Sequence, residues 1–136
     1  MVVYYTTTHY QVLCAILHKI KYEKDEKSCL VVTNARISHK NLCEKVKYAK
    51  IFDEVVYYDD KQLVAICSNE YKKIWCKWNI KGILKKIYPM IQKGLPFTIN
   101  NNHKYYIMSD FKPFPLYLIN HKIPYYYFED ACRSFI

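Results

Sequence analysis

Two pairs of adjacent carboxylates stand directly behind short aromatic or β-branched runs in this chain. Glu129-Asp130 follows Ile123-Pro124-Tyr125-Tyr126-Tyr127-Phe128, and Asp59-Asp60 follows Glu54-Val55-Val56-Tyr57-Tyr58. Aromatic and β-branched residues fit a pleated, half-buried surface, so both runs read as strands. Open α/β sheets bind ligands beyond the carboxyl ends of their parallel strands. A carboxylate held there can take the proton of a substrate hydroxyl. The other reading is structural: Glu129 and Asp130 would cap the next turn or helix, and Asp59-Asp60 would be a solvated turn. A third group is Thr6-Thr7-Thr8-His9 behind Val2-Val3-Tyr4-Tyr5. Thr8 can cap a helix, and the backbone N–H groups and threonine hydroxyls of such a start can hold an anion. His9 stands in the first helical turn, where a histidine is more often plain surface than catalytic.

These residues need a scaffold, and the chain supplies a regular one. Val2-Val3-Tyr4-Tyr5 is a short buried strand, and Val12, Leu13, Ile16, Leu17 and Ile20 then recur at helical spacing. Cys29-Leu30-Val31-Val32-Thr33 is a continuous apolar run, as in a parallel sheet covered on both faces. Ser38 can cap a second helix carrying Leu42, Cys43, Val46 and Ala49, and Glu54 to Tyr58 is the third strand. The longest helical pattern runs from Tyr71 to Ile91, with Tyr71, Ile74, Trp75 and Trp78 in one stripe and six lysines mainly opposite. Gly82 and Pro89 predict a break or kink in it, and Gly94-Leu95-Pro96 closes it. Lys104 to Met108 is the fourth strand, Phe114 to Ile119 a short helix, and the run before Glu129 the fifth strand. Strands alternating with helices predict an α/β fold, a Rossmann-like three-layer sandwich with a mostly parallel sheet of about five strands. Residues 1–136 read as a single domain. The apolar ending Phe135-Ile136, without a closing helix, reads as a premature end.

Composition removes several functions. Gly82 and Gly94 are the two glycines, so neither a dinucleotide fingerprint nor a P-loop can be written. The formal charge is +9, but only Arg36 and Arg133 of the 21 basic residues are arginine. Nucleic-acid readers lean on arginine for bidentate contacts, so no nucleic-acid partner is expected. A lysine-rich surface suits an anionic substrate or an anionic membrane face. The six cysteines, at 14, 29, 43, 67, 76 and 132, form no C-x-x-C. They predict neither a zinc site nor a disulfide framework, and they point to a reducing compartment. No signal peptide or membrane span is visible. The expected location is the cytoplasm, with peripheral association at the inner membrane surface as an option.

With these residues in view, the chain resembles the N-terminal half of bacterial GT-B glycosyltransferases of the sialyltransferase and capsular polysialyltransferase group. Three features carry the resemblance. Tyr4-Tyr5-Thr6-Thr7-Thr8-His9-Tyr10 is a strand running into a threonine-rich turn and a His/Tyr-bearing helix; strands and helices alternate throughout; and Tyr127-Phe128-Glu129-Asp130 is like the family's acid-acid-glycine motif. Ala131 stands where that motif has glycine. The resemblance implies one half of a GT-B fold that acts on a cell-surface glycan or capsular polysaccharide. Asp130 would be the first choice for the general base, with Glu129 as its neighbour, and Thr7, Thr8 and His9 would contact substrate. It also implies a nucleotide-sugar donor such as CMP-sialic acid, bound mainly by a C-terminal domain missing from this chain. No metal and no other cofactor are implied. The family's histidine-proline motif is not in these residues, so the chain alone is expected to be inactive.

Two other readings compete. A non-catalytic, receiver-like regulatory module would use Asp53, Asp59, Asp60 and Asp110 to bind a divalent ion, but it wants acids behind its first strand, where this chain has threonines. A nucleic-acid-binding domain is drawn by the charge and opposed by the scarcity of arginine. The aromatics from Tyr125 to Phe128 would suit contact with a second domain or a homodimer.

Overall fold

The computed structural model describes residues 1–33, 38–61, 63, 85, 89–108 and 113–128. The expected helix from Tyr71 to Ile91 lies outside the described residues except at Lys85 and from Pro89 on. Asp110, Glu129 and Asp130 lie outside them too. The elements, in chain order, are β1 (Val2–Thr6), α1 (His9–Tyr22), β2 (Ser28–Thr33), α2 (Ser38–Ala49), β3 (Glu54–Tyr58), β4 (Lys104–Ile107), α3 (Pro113–Asn120) and β5 (Tyr126–Tyr127). The strands form one sheet in the order β3-β2-β1-β4-β5, with every pair parallel. This is the expected Rossmann-like α/β arrangement.

The buried strands explain why the sheet is parallel. β1 and β2 are buried at every position, so both of their faces must be covered, and helical crossovers do that. Alternate residues feed two layers. Val2, Tyr4, Leu30, Val32, Val55 and Tyr106 pack under α1 and α2, with Val12, Ala15, Cys43 and Val46. Val3, Tyr5, Cys29, Val31, Tyr105 and Ile107 face the other way and meet Leu63, Ile91, Phe97 and Phe114, Tyr117 and Leu118 of α3. Gly94 sits at a φ of +93°, the left-handed geometry that stops a helix, and residues 89–92 before it are helical as expected. Burial keeps the Cys29 thiol protonated, with its pKa pushed up to about 12, and Cys43 likewise at about 11. Both behave as small core hydrophobes.

The orientation of α1 departs from its sequence pattern. Of the periodic apolar residues only Val12 is buried, while Leu13, Leu17 and Ile20 face out. The face turned to the sheet is Gln11, Val12, Ala15 and Lys19. Small Ala15 permits close approach, and polar groups bind at both ends. At the C-terminal end the Lys19 ammonium donates to the backbone carbonyls of Glu23, Lys24 and Glu26. It therefore satisfies the carbonyl of the C-cap residue Glu23 and two carbonyls of the turn that follows the helix. Beside it, Glu23 Oε1 accepts from Lys104 Nζ at 2.7 Å and from Tyr106 OH at 2.6 Å. Tyr4 OH pairs with His18 Nδ1 at 2.8 Å, and the His18 ring packs on Tyr106 at 4.5 Å and Phe128 at 4.9 Å.

β5 is shorter than its aromatic run. It is two residues long, lies at the sheet edge, and leaves Tyr126 and Tyr127 exposed. Stacking of Tyr126 and Phe128 on Tyr106, at 5.2 and 5.3 Å, holds this edge by its rings more than by its short ladder. On α2, Cys43 and Val46 are buried as the periodicity predicts, whereas Ala49 is exposed.

Two predictions follow from the α1 anchors. Lys19→Met keeps the stem and removes the ammonium, and urea denaturation should show a loss of about 2 kcal/mol, the scale of a charge-assisted hydrogen bond. Glu23 supplies a pH signature. Burial pushes its carboxyl up, but hydrogen bonds from Lys104 and Tyr106 outweigh this and leave it below its ordinary value of 4.5. A depressed carboxyl contributes stability that is present above 4.5 and is lost as pH falls through the folded value. Glu23→Gln should lower stability at neutral pH and flatten the acid limb below pH 4.5; an unchanged acid limb would assign the acid sensitivity elsewhere.

Candidate functional site at the carboxyl edge

The parallel sheet gathers the carboxyl ends of all strands along one rim. The chain builds β2 and β3 to one side of β1 and β4 and β5 to the other, so connections diverge between β1 and β4. That divergence opens the crevice in which such sheets bind ligands. Beside it stand the Thr6–His9 turn and Met108, the residue after β4.

Gln11 ties the turn to Met108. Its Oε1 accepts from Thr7 N at 2.7 Å and Thr7 Oγ1 at 2.9 Å, and its Nε2 donates to the Met108 carbonyl at 3.1 Å. Its backbone N–H donates to Thr8 Oγ1 at 3.1 Å, which makes Thr8 the cap of α1. The pattern is a capping box in which the glutamine reaches back one residue further than usual. Thr-x-x-Gln ahead of an apolar run is visible in the sequence, and it was the signal that could have singled out Gln11.

The three threonines thereby take different roles. Thr6 is fully buried and donates to the Val31 carbonyl at 2.9 Å. Thr7 is buried and gives its proton to Gln11. Thr8 is exposed and only accepts among the hydrogen bonds of the described residues, so its own proton is available to a ligand oxygen. His9 is exposed beside it. Of the residues expected to contact substrate, Thr8 and His9 are exposed, and Thr7 is buried with its N–H and hydroxyl given to Gln11.

The acids separate. Asp60 is buried at the end of β3, 3.4 Å through its Oδ2 from Tyr5 OH, in the layer opposite α1. Burial first, and the Asp60 charge second, hold the Tyr5 phenol well above its ordinary range, so it stays a neutral donor. Asp59 Oδ1 accepts from Lys61 N at 3.1 Å. Asp53 lies at the other rim, where its Oδ2 accepts from Ser28 N at 2.8 Å. The six steps along β3 from Asp53 to Asp59 span roughly 20 Å, so these two acids do not converge on one ion. Among the described residues no group of three or more His, Cys, Asp or Glu side chains could hold a metal. On the far side of the crevice the backbone of Phe128 donates to the Ile107 carbonyl at 2.9 Å, and Glu129-Asp130 are the next residues in the chain.

No protein-family model matches this chain, and neither a curated protein nor a solved structure matches it. No helix among the described residues is long and apolar enough to cross a membrane.

Gln11 should therefore carry the rim. Gln11→Leu leaves the buried Thr7 N–H and the Met108 carbonyl without a partner, at about 1–3 kcal/mol for each orphaned group. Amide exchange should accelerate at Thr7 and in β4 together; acceleration at Thr7 alone would mean the two are not coupled.

Proposed function

We propose that the chain is the acceptor-side, Rossmann-like half of a GT-B glycosyltransferase of the sialyltransferase type, acting on a cell-surface glycan or capsular polysaccharide. The observation that carries this reading is the shared rim. The uncommitted Thr8 hydroxyl and exposed His9 stand on one side of the β1–β4 crevice, and the strand leading into Glu129-Asp130 bonds to β4 on the other.

In this reading Thr8 and His9 orient an acceptor sugar, and Asp130 takes the proton of its attacking hydroxyl. The new bond forms between that oxygen and the anomeric carbon of the donor, while the bond to the nucleotide phosphate breaks and the phosphate leaves with its electron pair. A sugar hydroxyl is a weak nucleophile, so a positioned base is worth roughly 100- to 10,000-fold. The donor, a nucleotide sugar such as CMP-sialic acid, is bound mainly by a second Rossmann-like domain. The free thiols of Cys14, Cys29 and Cys43 agree with a cytoplasmic setting.

The test has a binding arm and a rate arm. Saturation-transfer NMR with acceptor oligosaccharides should show sugar contact with this chain, weakened by Thr8→Val. In an enzyme that contains this chain and a donor domain, Asp130→Ala should lower kcat by roughly 100-fold or more with acceptor binding retained. Full activity of Asp130→Ala, or sugar transfer by these residues alone, would overturn the assignment.

A further inference from the structure

The outward face of α1 is apolar. Leu13, Leu17 and Ile20 are 50, 59 and 54 % exposed, and Tyr10 in line with them is 38 % exposed. Steps of three, four and three residues put all four on one helix face. The outer face of a surface helix is ordinarily its polar one, and among the described residues Leu13, Leu17 and Ile20 make it apolar instead. Leu63 and Ile91, described residues of the stretch after β3, both pack in the layer opposite α1.

The neighbouring surface is basic. α2 lies on the same side of the sheet as α1 and exposes Lys40, Lys45 and Lys47, with exposed Lys50 directly after it. Tyr48 on α2 is 90 % exposed, an amphipathic ring of the kind that suits a membrane interface. Glu44 is the one acid of α2 against those lysines, α1 carries no acid and exposes Lys21, and the turn behind it exposes Lys24 and Lys27 beside Asp25 and Glu26. The whole chain carries +9. A second copy on this face would set like charge against like charge. An anionic bilayer takes both features together: apolar side chains enter the boundary between headgroups and acyl chains, and lysines meet lipid phosphates.

We propose that the α1–α2 face is a peripheral docking surface for an anionic lipid bilayer, with Leu13, Leu17 and Ile20 inserted and the α2 lysines in the headgroup layer. The surface is independent of the carboxyl rim and of the function assigned to it.

The test is co-sedimentation of the whole chain with phosphatidylcholine vesicles, with and without about one-third phosphatidylglycerol. Binding should require phosphatidylglycerol and weaken as salt rises. Leu17→Gln/Ile20→Gln keeps the charge and should lower vesicle binding roughly tenfold or more, with no fall in the thermal midpoint because both side chains are exposed. Lys45→Glu/Lys47→Glu should lower binding as well. No binding to anionic vesicles would overturn the proposal. Equal binding by Leu17→Gln/Ile20→Gln would also overturn it, leaving only the diffuse attraction of a basic protein. A dimer in sedimentation velocity that the same variant dissolves would give the face to a second copy instead.

Discussion

The structure depends on how α1 is fastened to the central strand. β1 is paired on both sides and buried on both faces, so whatever covers it must satisfy the polar ends of its connections. α1 does this with Gln11 at the carboxyl rim and with Lys19 and the nearby Glu23 at the amino rim. These side chains bond to backbone or to partners distant in sequence: Met108, Lys104 and Tyr106. Leaving such groups unpaired in the interior costs more than the bonds return, so the three anchors set the rotation of the helix about its own axis. Val12 and Ala15 fill the space between them.

That rotation has two consequences. At the rim, Gln11 takes the Thr7 proton and the Thr8 lone pair is taken by the cap, so Thr8 is the hydroxyl with a proton to offer. On the outside, Leu13, Leu17 and Ile20 of α1 are turned away from the core, while Ile16 packs against it. One set of polar contacts therefore determines which hydroxyl is exposed at the rim and which apolar side chains of the helix are left outside.

The fold was legible because its signals are local. Continuous apolar runs such as Cys29 to Thr33, separated by helical patterns, can be read without knowing partners. The strands are found where those runs stand, although β5 is shorter than its aromatic run. The α1 orientation was not legible, since periodicity identifies a stripe and says nothing about which side of it meets the sheet. The residues that decide the matter are a glutamine, a lysine and a glutamate, types that composition assigns to the surface. Only the Thr-x-x-Gln spacing hinted at one of them. The Tyr5–Asp60 contact was hidden for the same reason, since it joins residues 55 apart. Of the carboxylates singled out in the sequence, Asp59 and Asp60 stand at the carboxyl rim, and the Glu129-Asp130 pair lies outside the described residues.

Chain handedness links the remaining features. β1, β2 and β3 are successive parallel strands, and crossovers of one hand place both intervening helices on the same face. The apolar stripe of α1 and the lysines of α2 thus share a surface through topology, although neither helix has both in full. The helices run antiparallel to the strands along this face, whereas the β1–β4 crevice opens at the rim, roughly perpendicular to it. A bilayer against the α1–α2 face would leave the crevice facing sideways along the membrane plane. There it stays open to a substrate that is itself held at the membrane, and no part of the ligand rim has to be covered for the surface to dock.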